Sequence, residues 1–374
     1  MSLRFFGAGE YPYKGILLKD TCESAAYVLG NLGYTAHAIH NNEADFYGRK
    51  DVYSNLGFSS FTSGEYMNTQ NDVNANGWMR DRNLIPCITD ALDATDNEDF
   101  VFVVSVQPHG AYPTEPVTEN PVITVSGTAT QEEKYAWEYY VNEIHEEDQF
   151  VADLIAELES RGEPAVVLFY GDHLPTMGLT DRDIRGRATV FETDYLIWDN
   201  LGLERKSQTL TSYQGVAEVM NRLGIHEGTM FRYQQTMKKR STYFYNMQIL
   251  QYDLLYGKRY AYGLTNPWSR TILAMGEKGI RVDKIQKMSP EGIYYVLGQN
   301  FTQSCRFTVN GEVLDTTYLS ADTLLVRGIQ LEKGDWVGVS VLSNSGSHEI
   351  LGSSNTLVYG VGRLTDTARE EGDD

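Results

Sequence analysis

Residues 165–173 read AVVLFYGDH, a continuous apolar run that ends in a glycine, an aspartate and a histidine. Unbroken apolar runs of this length are typical of strands buried on both faces of a parallel sheet. Ligands of open α/β sheets bind at the carboxyl ends of such strands, so Asp172 and His173 lie where a site is expected. Their oxygen and nitrogen atoms suit Zn, Mn or Mg. The alternative is an ordinary Gly-Asp turn with an incidental histidine.

Two further strand-like runs, TAHAIH over residues 35–40 and FVFVVSV over residues 100–106, end in the same way. The polar candidates that follow them are His40, Asn42, Tyr47 and Arg49 after the first run, and His109 after the second. If the three strands are neighbours, His40, His109 and His173 converge on one cleft. Arg49 supplies a planar fork for a pair of anionic oxygens, which suits a phosphate or sugar pocket. The alternative is a solvated loop in which Arg49 pairs with a nearby acid and each histidine is structural.

Outside these runs the first two-thirds of the chain alternates predicted helices with strands. Helical spacing covers residues 19–32, 131–161 and 212–223, and residues 195–198 indicate a further strand. This alternation predicts an α/β/α sandwich with a mostly parallel sheet.

After about residue 270 the pattern changes to short alternating runs separated by turn residues, with Asn310-Gly311 as a strong hairpin signal. The text GQNF…VNG…TLLVRG…GDWVGVSV resembles immunoglobulin-like IPT/TIG modules. We therefore predict four segments: an α/β domain over 1–235 that is partial, a connector over 236–272, a β-sandwich over 273–362, and an acidic disordered tail over 363–374. We expect the sandwich to fold by itself, to pack on the sheet domain and to take no part in the chemistry.

Composition excludes several classes of function. The chain has 374 residues and a formal charge of −20, which argues against a nucleic-acid partner because counterion release needs a basic face. Three cysteines make a disulfide framework improbable. No apolar stretch reaches the ~18 residues of a membrane span, so a membrane would be reached only through segments outside this sequence.

Taken in order, these segments resemble the sulfatase branch of the alkaline phosphatase superfamily, and in particular lipoteichoic acid synthase-like phosphoglycerol transferases. The matching stretches are Gly33-Tyr34 with His40, Phe46-Tyr-Gly-Arg49, Val52-Tyr-Ser-Asn-Leu-Gly-Phe58, Gly77-Trp-Met-Arg-Asp81, His109-Gly-Ala-Tyr112, Phe169-Tyr-Gly-Asp-His173 and Thr193 to Gly202. The resemblance covers roughly residues 20 to 225, and it implies an alkaline phosphatase-like fold.

The resemblance also implies roles. Asp172 and His173 would be ligands of a divalent metal, with Mn or Mg expected first and Ca or Zn as alternatives. His40, Asn42, Tyr47, Arg49 and His109 would bind the substrate, and His40, Arg49 and His109 would also act in catalysis. Tyr47 stands where the family usually has tryptophan, and Asn42 where it often has aspartate.

In this family the nucleophile is a threonine that precedes the Gly-Tyr segment, and a metal-binding acid precedes it further. No such pattern stands before Tyr34, so we expect a C-terminal part of a larger enzyme, with its nucleophile and membrane helices outside this sequence and no turnover by itself. The intact enzyme would act outside the cytoplasmic membrane of a bacterium. It would transfer phosphoglycerol, from an anionic phospholipid head group or to a glycopolymer, through a phosphothreonine. The alternatives are a sulfatase, a phosphoethanolamine transferase, and a cell-wall-binding protein without activity.

Overall fold

A computed structural model describes residues 2–4, 12–68, 71–184, 186 and 188–361. The helices in these ranges are α1 Ala25–Gly30, α2 Arg49–Asn55, α3 Leu84–Leu92, α4 Gln131–Arg161, α5 Gly215–Arg222, α6 Thr229–Met237 and α7 Tyr243–Leu255. The strands are β1 Thr35–His40, β2 Ser60–Thr62, β3 Asp99–Val104, β4 Val166–Tyr170, β5 Tyr195–Asp199, β6 Ala274–Met275, β7 Arg281–Ser289, β8 Ile293–Gln299, β9 Cys305–Val309, β10 Glu312–Val313, β11 Thr317–Ser320, β12 Thr323–Val326, β13 Trp336–Leu342, β14 Ile350–Ser353 and β15 Leu357–Val358. The predicted tail over 363–374 lies outside the described residues.

The main sheet is parallel and has the strand order β3-β1-β2-β6. β1 and β3 pair along their whole length, from Thr35 opposite Asp99 to His40 opposite Val104, so both strands end at the same edge of the sheet. The loops after these two strands therefore leave side by side, as the sequence predicted.

Helices cover both faces of this sheet. Successive side chains of β3 point to opposite faces, so the strand packs against helices on each side. Val101 and Val103 pack in one cluster with residues of α3 and α4, whereas Phe100 packs on the other face with residues of α1, α5 and α6. This is the predicted α/β/α sandwich.

β4 differs from the prediction in its pairing. It forms a separate two-stranded sheet with β5, and the two strands are antiparallel. Val167 and Phe169 nevertheless join the cluster that holds Val101 and Val103, so β4 packs on the same hydrophobic cluster as β3.

The prediction that β3 and β4 are buried on both faces was wrong. All six residues of β3 are half-buried, as are the first four residues of β4, while Tyr170 is exposed. β3 is the last strand of the main sheet, so one of its edges carries no strand hydrogen bonded to it. An apolar run alone does not distinguish a central strand from such an edge.

The helix predicted over 19–32 is much shorter and begins at Ala25. Ser24 caps it by accepting a hydrogen bond from the Tyr27 amide. The preceding residues bind distant partners instead, since Thr21 Oγ1 donates to the Trp268 carbonyl and Glu23 accepts from the Met230 amide. These long-range bonds have no signature in the local periodicity.

The predicted helix over 131–161 is α4 with the same bounds. The helix over 212–223 begins with a 3-10 turn at Ser212–Gln214 and continues as α5. The segment predicted as a connector contains α7 and the end of α6.

The C-terminal strands form two antiparallel sheets, ordered β11-β12-β8-β7 and β10-β9-β13-β14, with β15 also pairing with β13. Asn310 and Gly311 have φ values of 51° and 87° and make the tight turn between β9 and β10, which confirms the hairpin prediction.

The sandwich packs closely on the α/β domain. One hydrophobic cluster contains Phe61 and Tyr53 of the α/β domain together with Phe301 and Val341 of the sandwich. β6, which the sequence assigned to the sandwich, adds instead to the main sheet beside β2. Within the described ranges, no helix has both the length and the apolarity that crossing a bilayer requires.

Candidate active site

His40 is the last residue of β1 and is almost fully buried, with 2% of its surface exposed. Its Nδ1 lies 2.7 Å from the carbonyl oxygen of Val104, at the end of β3. Because a carbonyl can only accept, Nδ1 carries the proton. Burial lowers the pKa of His40 to about 3, and the positive charge of Arg49 is the second cause of this shift. The imidazole is therefore neutral at physiological pH.

Arg49 opens α2 after a loop with unusual backbone geometry. Tyr47 and Gly48 have φ values of 60° and 64°, both in the left-handed region. A side chain at Gly48 would meet Leu18, since an added Cβ would lie 2.5 Å from Leu18 Cδ2. This double turn aims Arg49 inward, and only 8% of its surface is exposed.

The Arg49 guanidinium lies among neutral groups. Its Nη1 donates to the Glu43 carbonyl at 3.3 Å, and its Cζ is 5.1 Å and 5.8 Å from the ring centroids of Phe46 and Tyr47. Burial lowers its pKa from the usual arginine value. Among the described residues no carboxylate forms an ion pair with it, so the alternative of a loop arginine paired with an acid is not what the structure shows. A nearly buried cation without a counter-charge favours an anionic ligand.

His109 follows β3 and is exposed. Its Nδ1 lies 2.7 Å from the Gly110 carbonyl, which places a proton on Nδ1, so that in the neutral ring Nε2 holds the lone pair. Two rings stand edge-on to it: Trp78 at a centroid distance of 5.6 Å and His173 at 6.2 Å. The predicted meeting of the two strand ends is thus observed for His109 and His173.

Asp172 and His173 leave the end of β4 as an exposed pair. His173 Nδ1 lies 2.8 Å from the Leu174 carbonyl, so Nδ1 carries a proton, and in the neutral ring Nε2 is the nitrogen that holds the lone pair. That Nε2 lies 3.6 Å from Asp172 Oδ2. A metal-binding histidine typically donates its other ring N–H to a backbone carbonyl, as His173 does through Nδ1, and Nε2 is then the nitrogen that can bind a cation.

Asp172 and His173 thus offer a metal two donors of the right type and orientation. No group of three or more histidine, cysteine or acidic side chains that could hold a metal occurs within the described ranges. Two donors do not close the four-ligand shell typical of zinc, and magnesium also usually keeps further ligands.

A set of buried phenols connects Arg49 with the end of β4. Tyr53 is fully buried and Tyr13 half-buried; burial raises the pKa of both phenols, and the Arg49 charge opposes that rise at each. Tyr170, the last residue of β4, lies close enough to act on both phenols and also feels the charge of Asp172. The Arg49 loop and the Asp172 pair therefore border one region of the molecule.

An open groove of about 380 Å³ adjoins this region. Its lining residues are Ala111, Tyr112, Glu133, Ala136, Trp137, Thr176 and Met177. Tyr112 and Thr176 follow His109 and His173 by three residues each. Burial, then Tyr140 and to a smaller extent the charge of Asp172, raise the pKa of Tyr112 to about 12, so the groove begins near Asp172.

The remaining predicted residues lie in the Arg49 loop. The Asn42 side chain accepts a hydrogen bond from the Glu43 amide at 2.8 Å, and the exposed Tyr47 ring lies against Phe46 at a centroid distance of 4.3 Å and an interplanar angle of 49°. Sequence reasoning missed Trp78 and Asp45 as members of the site. Trp78 stood inside a quoted motif stretch and Asp45 directly before another, but no other feature of the sequence singled them out.

Comparison with known proteins identifies the family. The sulfatase family profile matches residues 2–225. A Rhizobium meliloti relative named "Putative cyclic beta-1,2-glucan modification protein" is 23% identical over 298 residues, which are 69% of this chain and 46% of the relative. The chain thus spans about half the length of that curated relative.

Solved structures that resemble the chain include a phosphoglycerol transferase and a lipoteichoic acid synthase. The Streptococcus pyogenes phosphoglycerol transferase GacH, in complex with sn-glycerol-1-phosphate, has a TM-score of 0.52 and 25% identity over 62% of this chain and 64% of its own. The lipoteichoic acid synthase LtaP from Listeria monocytogenes has a TM-score of 0.49 and 22% identity over 60% of this chain and 59% of its own. Since the family profile covers more than half of the sequence, the chain belongs to the sulfatase family.

Proposed function

We propose that this chain carries the phosphoalcohol-binding part of a phosphoglycerol transferase. The observation that carries the proposal is Arg49, a nearly buried guanidinium that has only neutral partners among the described residues. Such a group is stable when a ligand brings the missing negative charge. The GacH relative, whose title reports a complex with sn-glycerol-1-phosphate, supports glycerol phosphate as that ligand.

Arg49, His40 and His109 have different charge states, and each charge state suits a different role. Arg49 holds two non-bridging oxygens of the phosphate through its fork. His40 is neutral and buried, so it adds no second positive charge and instead fixes the end of β1 against β3. His109 presents an unprotonated Nε2 at an exposed position, which suits it to take up or return a proton.

In the transfer, the bond from phosphorus to the donor alcohol breaks and a bond from phosphorus to the acceptor hydroxyl oxygen forms. In the first half-reaction the proton of the attacking threonine hydroxyl goes to the leaving donor alkoxide, and in the second the proton of the acceptor hydroxyl returns to the threonine oxygen; we propose that His109 carries both protons. We propose, with the family, that a phosphothreonine stands between the two half-reactions, but we assign no residue of this chain as that nucleophile.

Asp172 and His173 are the residues that would hold the divalent cation expected of the family, with Mn or Mg first. A bound cation would stabilise negative charge on the phosphoryl oxygens.

The groove lined by Tyr112 and Trp137 is where we place the acceptor. A transferase needs its second substrate beside the first, and this groove starts at the residues that follow His109 and His173. Among the described residues that line it, Glu133 alone is charged, which favours a neutral polyhydroxylated acceptor over an anionic one. The glucan named for the Rhizobium meliloti relative is of that class. We place the reaction at the outer face of the bacterial membrane.

Isothermal titration with sn-glycerol 1-phosphate tests the proposal. We expect saturable binding at one site and none with glycerol. Arg49→Ala should weaken binding roughly 10- to 100-fold, the loss expected when hydrogen bonds to a charged partner are removed.

Arg82→Ala is the matched control. Its guanidinium is already bound by Asp72, with nitrogen–oxygen distances of 2.6 Å and 2.9 Å, so its loss should leave affinity unchanged. Equal losses in both variants would indicate general electrostatic attraction and refute the Arg49 site. Tighter binding of inorganic sulfate than of glycerol phosphate would favour the sulfatase alternative.

A further inference from the structure

The loop that carries Arg49 is held from outside by the β-sandwich. Residues 343–349 connect β13 to β14, and three serines of this connection, Ser343, Ser345 and Ser347, donate hydrogen bonds to the same oxygen, Oδ2 of Asp45. Ser343 and Ser347 do so at 3.1 Å. Asp45 stands four residues before Arg49, so one carboxylate joins the two domains at the site.

A second carboxylate, that of Glu65, also joins the Arg49 loop to the serine connection. Glu65 is fully buried, and its Oε1 accepts from the Ala44 amide at 3.3 Å and from the Asn344 amide at 3.2 Å. The amides belong to the Arg49 loop and to the serine connection, respectively. Its backbone carbonyl also accepts from Thr302 Oγ1 of the sandwich at 2.7 Å.

The Arg49 loop needs such support because its backbone is unfavourable by itself. Tyr47 is a bulky residue in the left-handed region, an unfavourable conformation that persists only where the surroundings impose it. The bonds to Asp45 and Ala44 lie immediately before this turn. Without them the chain could relax at Tyr47 and swing the Arg49 side chain away from its present direction.

The charge on Asp45 matches this role. Its partial burial works against ionisation, but the three serine hydroxyls outweigh that effect and lower the pKa of the Asp45 carboxyl. The ion pair between Lys50 and Glu349, at 2.9 Å, lies beside the contact but is exposed on both sides and contributes little.

We propose that Ser343, Ser345 and Ser347 of the β-sandwich are positioning residues for the phosphate site. They act through Asp45 to hold Arg49 in its anion-binding direction. The inference rests on the proposed function and departs from the sequence-based expectation that the sandwich takes no part in the chemistry.

The test compares two sets of alanine variants in the full chain. Ser343→Ala, Ser345→Ala and Ser347→Ala together remove the hydroxyls that reach Asp45. Ser340→Ala with Ser353→Ala removes a serine pair 3.0 Å apart on β13 and β14 that does not touch Asp45. The measurements are affinity for sn-glycerol 1-phosphate and hydrogen exchange of the amides of residues 43–49.

We expect the triple variant to bind roughly tenfold more weakly and to exchange faster at residues 43–49, since a small misplacement of a positioning group costs this much or more. The control pair should change neither quantity. Ser345→Thr, which keeps a hydroxyl, should bind as the original chain does. If the triple variant does not fold, Asp45→Ala, which removes the oxygen that accepts all three bonds, is measured in the same way.

Two outcomes would overturn the inference: unchanged exchange at residues 43–49, or faster exchange with unchanged affinity. If the original chain does not bind glycerol phosphate at all, the proposed function fails. Hydrogen exchange then still decides whether the serines hold the loop.

Discussion

At the scale of single residues, Glu147 and Asp81 form a pair of carboxyl groups beneath the end of β3. Asp81 is fully buried and accepts from the Val106 amide at 3.0 Å and from the Asn41 side chain at 2.6 Å. Burial, and then the adjacent Asp81, raise the pKa of Glu147 to about 9. Glu147 is therefore protonated in the folded protein at neutral pH.

The pH dependence of stability follows from this shift. The folded state keeps a proton that the unfolded state loses above the ordinary glutamate pKa of ~4.3, so the free energy of unfolding falls as pH rises from there to about 9. Glu147→Gln should remove that slope and raise the melting temperature at pH 8.5 by a few degrees. Thermal melts at pH 5 and pH 8.5 measure this, with the exposed Glu159→Gln on the same helix as control. A Glu147→Gln variant with the original slope would refute the assignment.

The sequence could predict which residues reach the site, but not their charge states. His40, His109 and His173 share a position after a strand, which the apolar runs show. Only the structure shows that each donates Nδ1–H to a backbone carbonyl. Their exposure differs as well, because β1 is internal and the other two strand ends open to solvent. No local pattern encodes that contrast.

At the scale of elements, His37 links two strands of the main sheet to the segment that leads into the sandwich. Its Nε2 lies 3.1 Å from Asp99 of β3, and its Nδ1 lies 3.0 Å from Glu277 and 2.8 Å from Ser60 of β2. Burial works against the charged imidazole, but the bonds and charges of Glu277 and Asp99 outweigh it and raise the pKa of His37.

Because the pKa of His37 is raised, the stabilisation that its bonds to Asp99 and Glu277 give the folded protein decreases at high pH. Its contribution to stability is complete below the unfolded histidine pKa of ~6.5 and is lost as pH rises through the higher folded value. We expect His37→Gln to lower the free energy of unfolding at pH 5.5 by about 1–3 kcal/mol, the range for a lost bond to a charged partner, and by less at pH 8.5. Urea denaturation at both pH values is the measurement. The exposed His109→Gln serves as control, and an equal loss at both pH values would contradict the linkage.

Helices and strands with strong local sequence signals could be predicted, whereas the partners with which the strands pair could not. α4 has an N-cap threonine and a C-terminal glycine, and its bounds were read directly from the sequence. The antiparallel pairing of β4 with β5 was not predicted, because strand direction depends on how the 24 residues between Tyr170 and Tyr195 return, and that stretch shows no helix or strand in its described residues.

At the scale of the whole molecule, the shared core predicts a single unfolding event. The cluster that contains Phe61 and Phe301 spans both domains, and the carboxylates of Asp45 and Glu65 bridge them. Differential scanning calorimetry should show one transition whose calorimetric and van't Hoff enthalpies agree. Two resolved transitions would show that the sandwich unfolds by itself, as the sequence pattern alone suggested.

The most direct test of the account is a crystal structure of this chain with sn-glycerol 1-phosphate bound. We predict a phosphate oxygen within about 3 Å of an Arg49 guanidinium nitrogen, with the rings of His109 and His173 bordering the same ligand. A phosphate bound elsewhere, with Arg49 still directed only at the Glu43 carbonyl, would contradict the claim that Arg49 forms the anion site.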